Sequence, residues 1–183
     1  MARIPEITKP EEISEENREF YDSIMASRKR IGAPYNFLLH VPDLAARTAH
    51  LVGYSLFTSD FPSDLKELAI CTVAREMDCP FEWAAHADHA IKAGVRGEAL
   101  EAIRSRSAPA QLTGGEAEVV CYVQELLRAP HRVTPATFDA LKDRLGVARL
   151  VELTGIVGAY VGLACSLNAF EVPTPPGREL LPV

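Results

Sequence analysis

Two stretches of helical apolar period meet at Asp78-Cys79-Pro80, and that junction constrains the fold more than any other feature of the chain. Leu65, Leu68, Ala69, Thr72 and Val73 recur at the 3.6-residue spacing of one helix face. Pro80 cannot lie inside a helix, because its ring clashes with the preceding turn, but it suits the first helical position. One helix must therefore stop before it and another start there. The second runs to Gly94, a residue suited to the left-handed conformation that closes a helix. The outcome is a helix, a tight break and a helix, with no period-2 alternation that would make a strand.

The same punctuation recurs along the chain. Residues 11–30 carry Ile13, Phe20, Ile24 and Met25 on a weakly amphipathic helix. Residues 32–43, bracketed by Pro34 and Pro42, read as an irregular connector. Asp43 is expected to cap a helix reaching about Ser59. Asp64 and Glu67 have capping-box spacing, as do Thr113 and Glu116, which open a helix to about Ala129. A short helix spans Gly97 to Arg104, and 104–111 is a polar linker. Thr134-Pro135 starts a helix that Gly146 stops, and the most apolar helix covers 147–170. The tail 171–183, with four prolines, is expected to be extended. The sum is an all-α chain of about eight helices and no sheet, read as a single domain over 1–183 with its core at about 43–170.

Composition narrows the function classes. With 19 Lys+Arg against 25 Asp+Glu, the net charge of −6 argues against a nucleic-acid binder, which needs a basic face. Four scattered cysteines in 183 residues do not make a secreted disulfide framework. The first twenty residues turn acidic at once and carry no apolar run, so neither a signal peptide nor a transit sequence is expected. The 147–170 stretch holds Arg149, Glu152 and three glycines and falls short of the ~20 apolar residues of a membrane span, so a buried core helix is expected. Gly155, Gly158, Gly162 and Ser166 lie near one face of it, suited either to tight packing within the chain or to a subunit interface. A cytoplasmic protein that contacts neither nucleic acid nor membrane is the expectation.

Chemistry concentrates between Glu67 and His89. Glu82, His86 and His89 are spaced i, i+4, i+7, so they share one helix face. Cys79 stands at the start of that helix, where the dipole favours a thiolate. Glu67 and Cys71 are i, i+4 on the helix before. Three candidate ligands on one helix raise the question of a metal, but two helical turns rise ~10 Å from first to last, too far for one ion to take all three. Glu67 and Glu82 also have the bland reading of first-turn carboxylates. Trp83 has that of a core anchor. Cys71, Cys121 and Cys165 fall in apolar helical contexts and read as inert buried thiols.

The run from Leu65 through Gly94, with its Glu-bearing helix, the DCPFEWAAH junction and the KAGV ending, resembles the carboxymuconolactone decarboxylase family. That family has the all-helical fold of the alkylhydroperoxidase D-like (AhpD-like) proteins. The segment LGVARLVELTGIVGAYVGLACSLNAF resembles the long helix that closes such domains. Members of the peroxidase branch carry Cys-x-x-Cys followed by a His, with a Glu on the helix before. Cys79 matches the first cysteine, Glu82 stands where the second would be, and His86 and Glu67 match the His and the Glu. A dithiol cycle needs a resolving thiol in disulfide range, and Cys71 is the one nearby substitute.

The resemblance therefore implies the decarboxylase branch. It implies His86 as general acid/base and Glu82 or Glu67 as its orienting or relaying carboxylates. Arg75 is a candidate anchor for a substrate carboxylate, and Trp83 and His89 are candidate substrate contacts. Neither cofactor nor metal is implied. The substrate would be a small carboxylated lactone or oxo acid, and relatives of this kind assemble as trimers, hexamers or dimers. Two other readings stand beside this one: a thiol-dependent peroxidase using Cys79, and an oligomeric ligand-binding protein without catalysis.

Overall fold

The computed structural model describes residues 2–107, 111–178 and 181–182. Among them there are eight α-helices and no strand: α1 (Arg18–Arg28), α2 (Tyr35–Leu38), α3 (Pro42–Gly53), α4 (Ser63–Glu76), α5 (Pro80–Ala93), α6 (Gly97–Arg104), α7 (Gly114–Leu127) and α8 (Pro135–Ala169). The all-helical reading holds, and the number eight is reached by a different division. The connector 32–43 contains α2, whose Tyr35, Asn36 and Phe37 are buried. The two last expected helices form α8, broken at Gly146, where φ is 78° and ψ 164°. That backbone suits glycine and is not helical, so the first helical stretch stops at Gly146 as expected and the apolar stretch starts directly after it. Parts of the 104–111 linker and of the 171–183 tail lie outside the described residues.

Two boundaries differ from expectation for local reasons. The expected 11–30 helix is two 3₁₀ turns, Pro10–Glu12 and Glu15–Asn17, before α1 begins at Arg18. Val41, not Asp43, occupies the N-cap of α3, because Pro42 is already suited to the first helical position. Beyond Gly53 the helix widens into a π-helical turn, Tyr54–Thr58, closed by the Ser59 N–H donating to the Tyr54 carbonyl at 2.9 Å.

The chain divides into two compact units, 1–59 with 165–173, and 60–164 with 174–183. In the first, α1 and α2 pack on α3 around Ile24, Tyr35, Leu39, Ala45 and Ala49. In the second, α4 is the axial element, packed against α5, α6 and α7. Every residue from Lys66 to Arg75 on α4 is buried. Helices buried all round are ordinarily apolar, so the polar groups on α4 must find partners inside the protein. The capping box at the start of α7 forms as expected, with the Thr113 N–H donating to Glu116 Oε2 at 2.7 Å. Tyr122 and Thr154, with hydroxyl oxygens 2.6 Å apart, join α7 to α8.

α8 is long and apolar enough, by length and composition, to cross a membrane, with a mean hydropathy of 1.7 over its apolar window and half of that window buried in the protein. Its Gly155, Gly158 and Gly162 do not serve the tight internal packing open to them in sequence: among the described residues, a Cβ at any of the three would meet nothing within 4 Å. Val147 and Val151 extend the exposed apolar surface of the same helix.

Candidate active site

The site is made where α4 lies against α5, and the turn between them sets its register. Asp78 takes a positive φ of 43°, a conformation that Asp tolerates better than most side chains. Its carboxylate accepts hydrogen bonds from Arg106 Nη2 at 2.9 and 3.0 Å and pairs with the buried Arg75 guanidinium. Arg106 also donates to the Arg75 carbonyl at 3.0 Å, so the last turn of α4 is tied down from both sides. Cys79 is the N-cap of α5, with its backbone N–H donating to the Ala74 carbonyl at 2.8 Å, and Pro80 is the first helical residue. Gly94 closes α5 with φ at 103°.

This arrangement brings three sequence-expected residues together. His86 Nδ1 stands 2.8 Å from Glu67 Oε2, across the α4–α5 contact, and His86 Nε2 stands 3.5 Å from Glu82 Oε2, one turn earlier on α5. Against a carboxylate, Nδ1 carries the hydrogen and donates. All three side chains are nearly inaccessible, with exposures of 9% for Glu67, 5% for Glu82 and 11% for His86. Glu67 is thus a partner of His86 and not a helix cap: α4 starts at Ser63 with Pro62 at the cap, which removes the expected Asp64 capping box.

The electrostatics follow from this burial. For His86, burial pushes the imidazole toward its neutral form. The Glu67 hydrogen bond and the charges of Glu82 and Glu67 outweigh it, and the imidazole ends above its ordinary 6.5. Burial raises Glu82 above 4.5; the Glu67 charge adds to this and the His86 charge opposes it. Cys71, fully buried near both carboxylates, has its thiol pushed well above the ordinary range by burial and then by the charges of Glu67 and Glu82. The centre favours holding protons.

The other expected residues are placed differently. His89 is exposed, with its ring edge-on to His86 at 5.9 Å between centroids. Arg75, expected as a carboxylate anchor, is instead engaged by Asp78, because the exposed turn supplies the nearest carboxylate. Trp83 is 1% exposed and lines a cavity of about 180 Å³ with Ile91, Leu100 and Arg104. This is the core-anchor alternative, and it sets the indole beside α6. Cys79 is buried. Cys121 and Cys165, expected as buried thiols, are exposed, a correction that follows from the outward faces of α7 and α8 on which they lie.

Sequence reasoning passed over Tyr160. Its ring meets His86 edge-on at 5.1 Å and 90°, from the buried face of α8. Seventy-four residues separate the two, so no local spacing reveals the contact. The one available signal is a buried aromatic with a polar tip among the small residues of that helix.

Residues 42–125 match the model of the Carboxymuconolactone decarboxylase family. Among solved structures, the chain is similar to the alkylhydroperoxidase AhpD core of an uncharacterized peroxidase-related protein from Ralstonia eutropha JMP134. The two share 14% identity with a TM-score of 0.73 over 96% of this chain and 93% of that one. At that identity the likeness is one of fold. Among curated proteins none matches the chain.

Proposed function

We propose that the chain is a cofactor-independent enzyme moving protons on a small carboxylated lactone or oxo acid, a reading supported by the match of residues 42–125 to the Carboxymuconolactone decarboxylase family and by the AhpD-like fold. One observation carries this reading: a buried imidazole held between two carboxylates, 2.8 Å from Glu67 and 3.5 Å from Glu82. The acidic centre holds the proton that a departing carboxylate calls for. As CO2 leaves, the bonding electrons pass into the conjugated system of the substrate, and protonated His86 delivers a proton to carbon. Glu67 fixes the ring through Nδ1, so Nε2 is the nitrogen that exchanges protons, and Glu82 beside it is the group that relays them. The Tyr160 ring, edge-on to His86 at 5.1 Å, helps hold the imidazole in place. We place this chemistry in a cytoplasmic homo-oligomer that needs no metal for turnover.

The test is CO2 release from carboxylated lactones by the wild type and by His86→Ala. General acid–base groups contribute roughly 10²–10⁴-fold, so the variant should lose that much rate while keeping its helical circular dichroism. A His86→Ala protein as active as the wild type would remove the assignment. A second reading, a thiol-dependent peroxidase, draws on the name of the structural neighbour and on Cys79 at the N-cap of α5. It is opposed by Glu82 at the second thiol position and by the raised Cys71 thiol, which is a poor nucleophile when protonated. Peroxide consumption with sulfenic acid at Cys79 would establish it, and an unmodified Cys79 under excess peroxide would exclude it.

A further inference from the structure

One imidazole nitrogen each from His86 and His89 and one carboxylate oxygen of Glu67 lie within 4.8 Å of one another. On α5 alone, Glu82, His86 and His89 span two helical turns, ~10 Å of rise and too far for one ion. In the folded protein Glu67, from α4, joins the two histidines, and these three make the compact cluster. We propose that Glu67, His86 and His89 form a binding site for a zinc-like divalent cation.

Two imidazoles and a carboxylate suit zinc and its borderline neighbours, not magnesium or calcium, which prefer oxygen donors throughout. Donors at 2.0–2.2 Å from a tetrahedral ion stand roughly 3.3–3.6 Å apart. Glu67 and His86 are closer than this, at 2.8 Å, and no pair in the cluster exceeds 4.8 Å. Rotations of the side chains close the difference, and His89 has the freedom because it is exposed. That exposure also gives the ion its entry from solvent. The charge balance favours a cation. Glu82 adds a second buried carboxylate 3.5 Å from His86 Nε2, so the centre holds two acidic groups around one imidazole. The fourth position on the ion is left to water.

Binding exchanges the Glu67–His86 hydrogen bond for two bonds to the metal and releases any proton held there. The ion is then an inhibitor of the proposed proton transfer and not its cofactor. The inference uses the same His86 as that proposal, but it is tested without substrate, so either can fail alone.

The experiment is equilibrium dialysis of the full chain against zinc. Cys121 and Cys165 are both changed to Ser in every sample, because exposed thiols also take zinc. One zinc per chain is expected, with affinity falling at least about tenfold in His89→Ala, whose exposed position spares the core. Cobalt in place of zinc should give visible ligand-field bands without the near-ultraviolet thiolate band, reporting nitrogen and oxygen donors. Zinc should also perturb the ring resonances of His86 and His89 in the unvaried site, independently of how any variant folds. Absence of stoichiometric binding, undiminished binding by His89→Ala, or a thiolate band would each overturn the proposal.

Discussion

His86 is the residue on which the chemistry converges, and its surroundings set how the protein responds to pH. Both His86 and Glu82 have raised values in the folded protein, so the folded chain binds protons more tightly than the unfolded one. Their contribution to stability is therefore full at low pH and is lost as pH rises, from above 4.5 for Glu82 and from above 6.5 for His86. Glu82→Gln should flatten the first part of this fall, measured as denaturant midpoints from pH 4 upward; an unchanged slope would show that the Glu82 proton is not linked to folding. Asp78 makes a separate prediction. Asp78→Ala leaves the buried Arg75 guanidinium without its carboxylate and should cost about 1–3 kcal/mol by urea unfolding. A neutral result would mean that the α4–α5 turn holds without that ion pair.

Among the elements, α8 and α7 offer opposite expectations. Gly158 lies inside α8, where a Cβ meets nothing within 4 Å among the described residues. Glycine disfavours a helix interior by about 1 kcal/mol against alanine, so Gly158→Ala should stabilise the protein by up to that amount in a thermal melt. A loss instead would reveal another backbone close against that face. At the start of α7, Glu116 both receives the Thr113 N–H and pairs with Arg96, whose Nη2 and Nε reach its two carboxylate oxygens at 2.5 and 3.1 Å. Glu116→Ala should cost about 1 kcal/mol, the usual weight of a helix cap. The Thr113 box was legible because its signals are local. The expected Asp64 box was not, since the same spacing at Glu67 serves a distant imidazole, and spacing alone cannot tell a cap from a buried partner.

At the scale of the molecule, the helical class and the α4–turn–α5 unit were legible in the sequence because proline, glycine and a 3.6-residue period act within a few residues. The shared face of Glu82 and His86 was legible for the same reason. Whatever depended on contacts between distant segments was hidden: Tyr160 against His86, Asp78 in place of substrate on Arg75, and the outward turn of Cys121 and Cys165. The assembly of α4 against α5 is the step that turns a local pattern into a proton-holding centre, and the titration of His86 reports on it without need of a substrate. By nuclear magnetic resonance, the imidazole should titrate above 6.5 in the wild type and drop in Glu67→Gln, where burial is no longer opposed by the carboxylate hydrogen bond. A wild-type midpoint at or below 6.5, or one that Glu67→Gln leaves in place, would contradict the account.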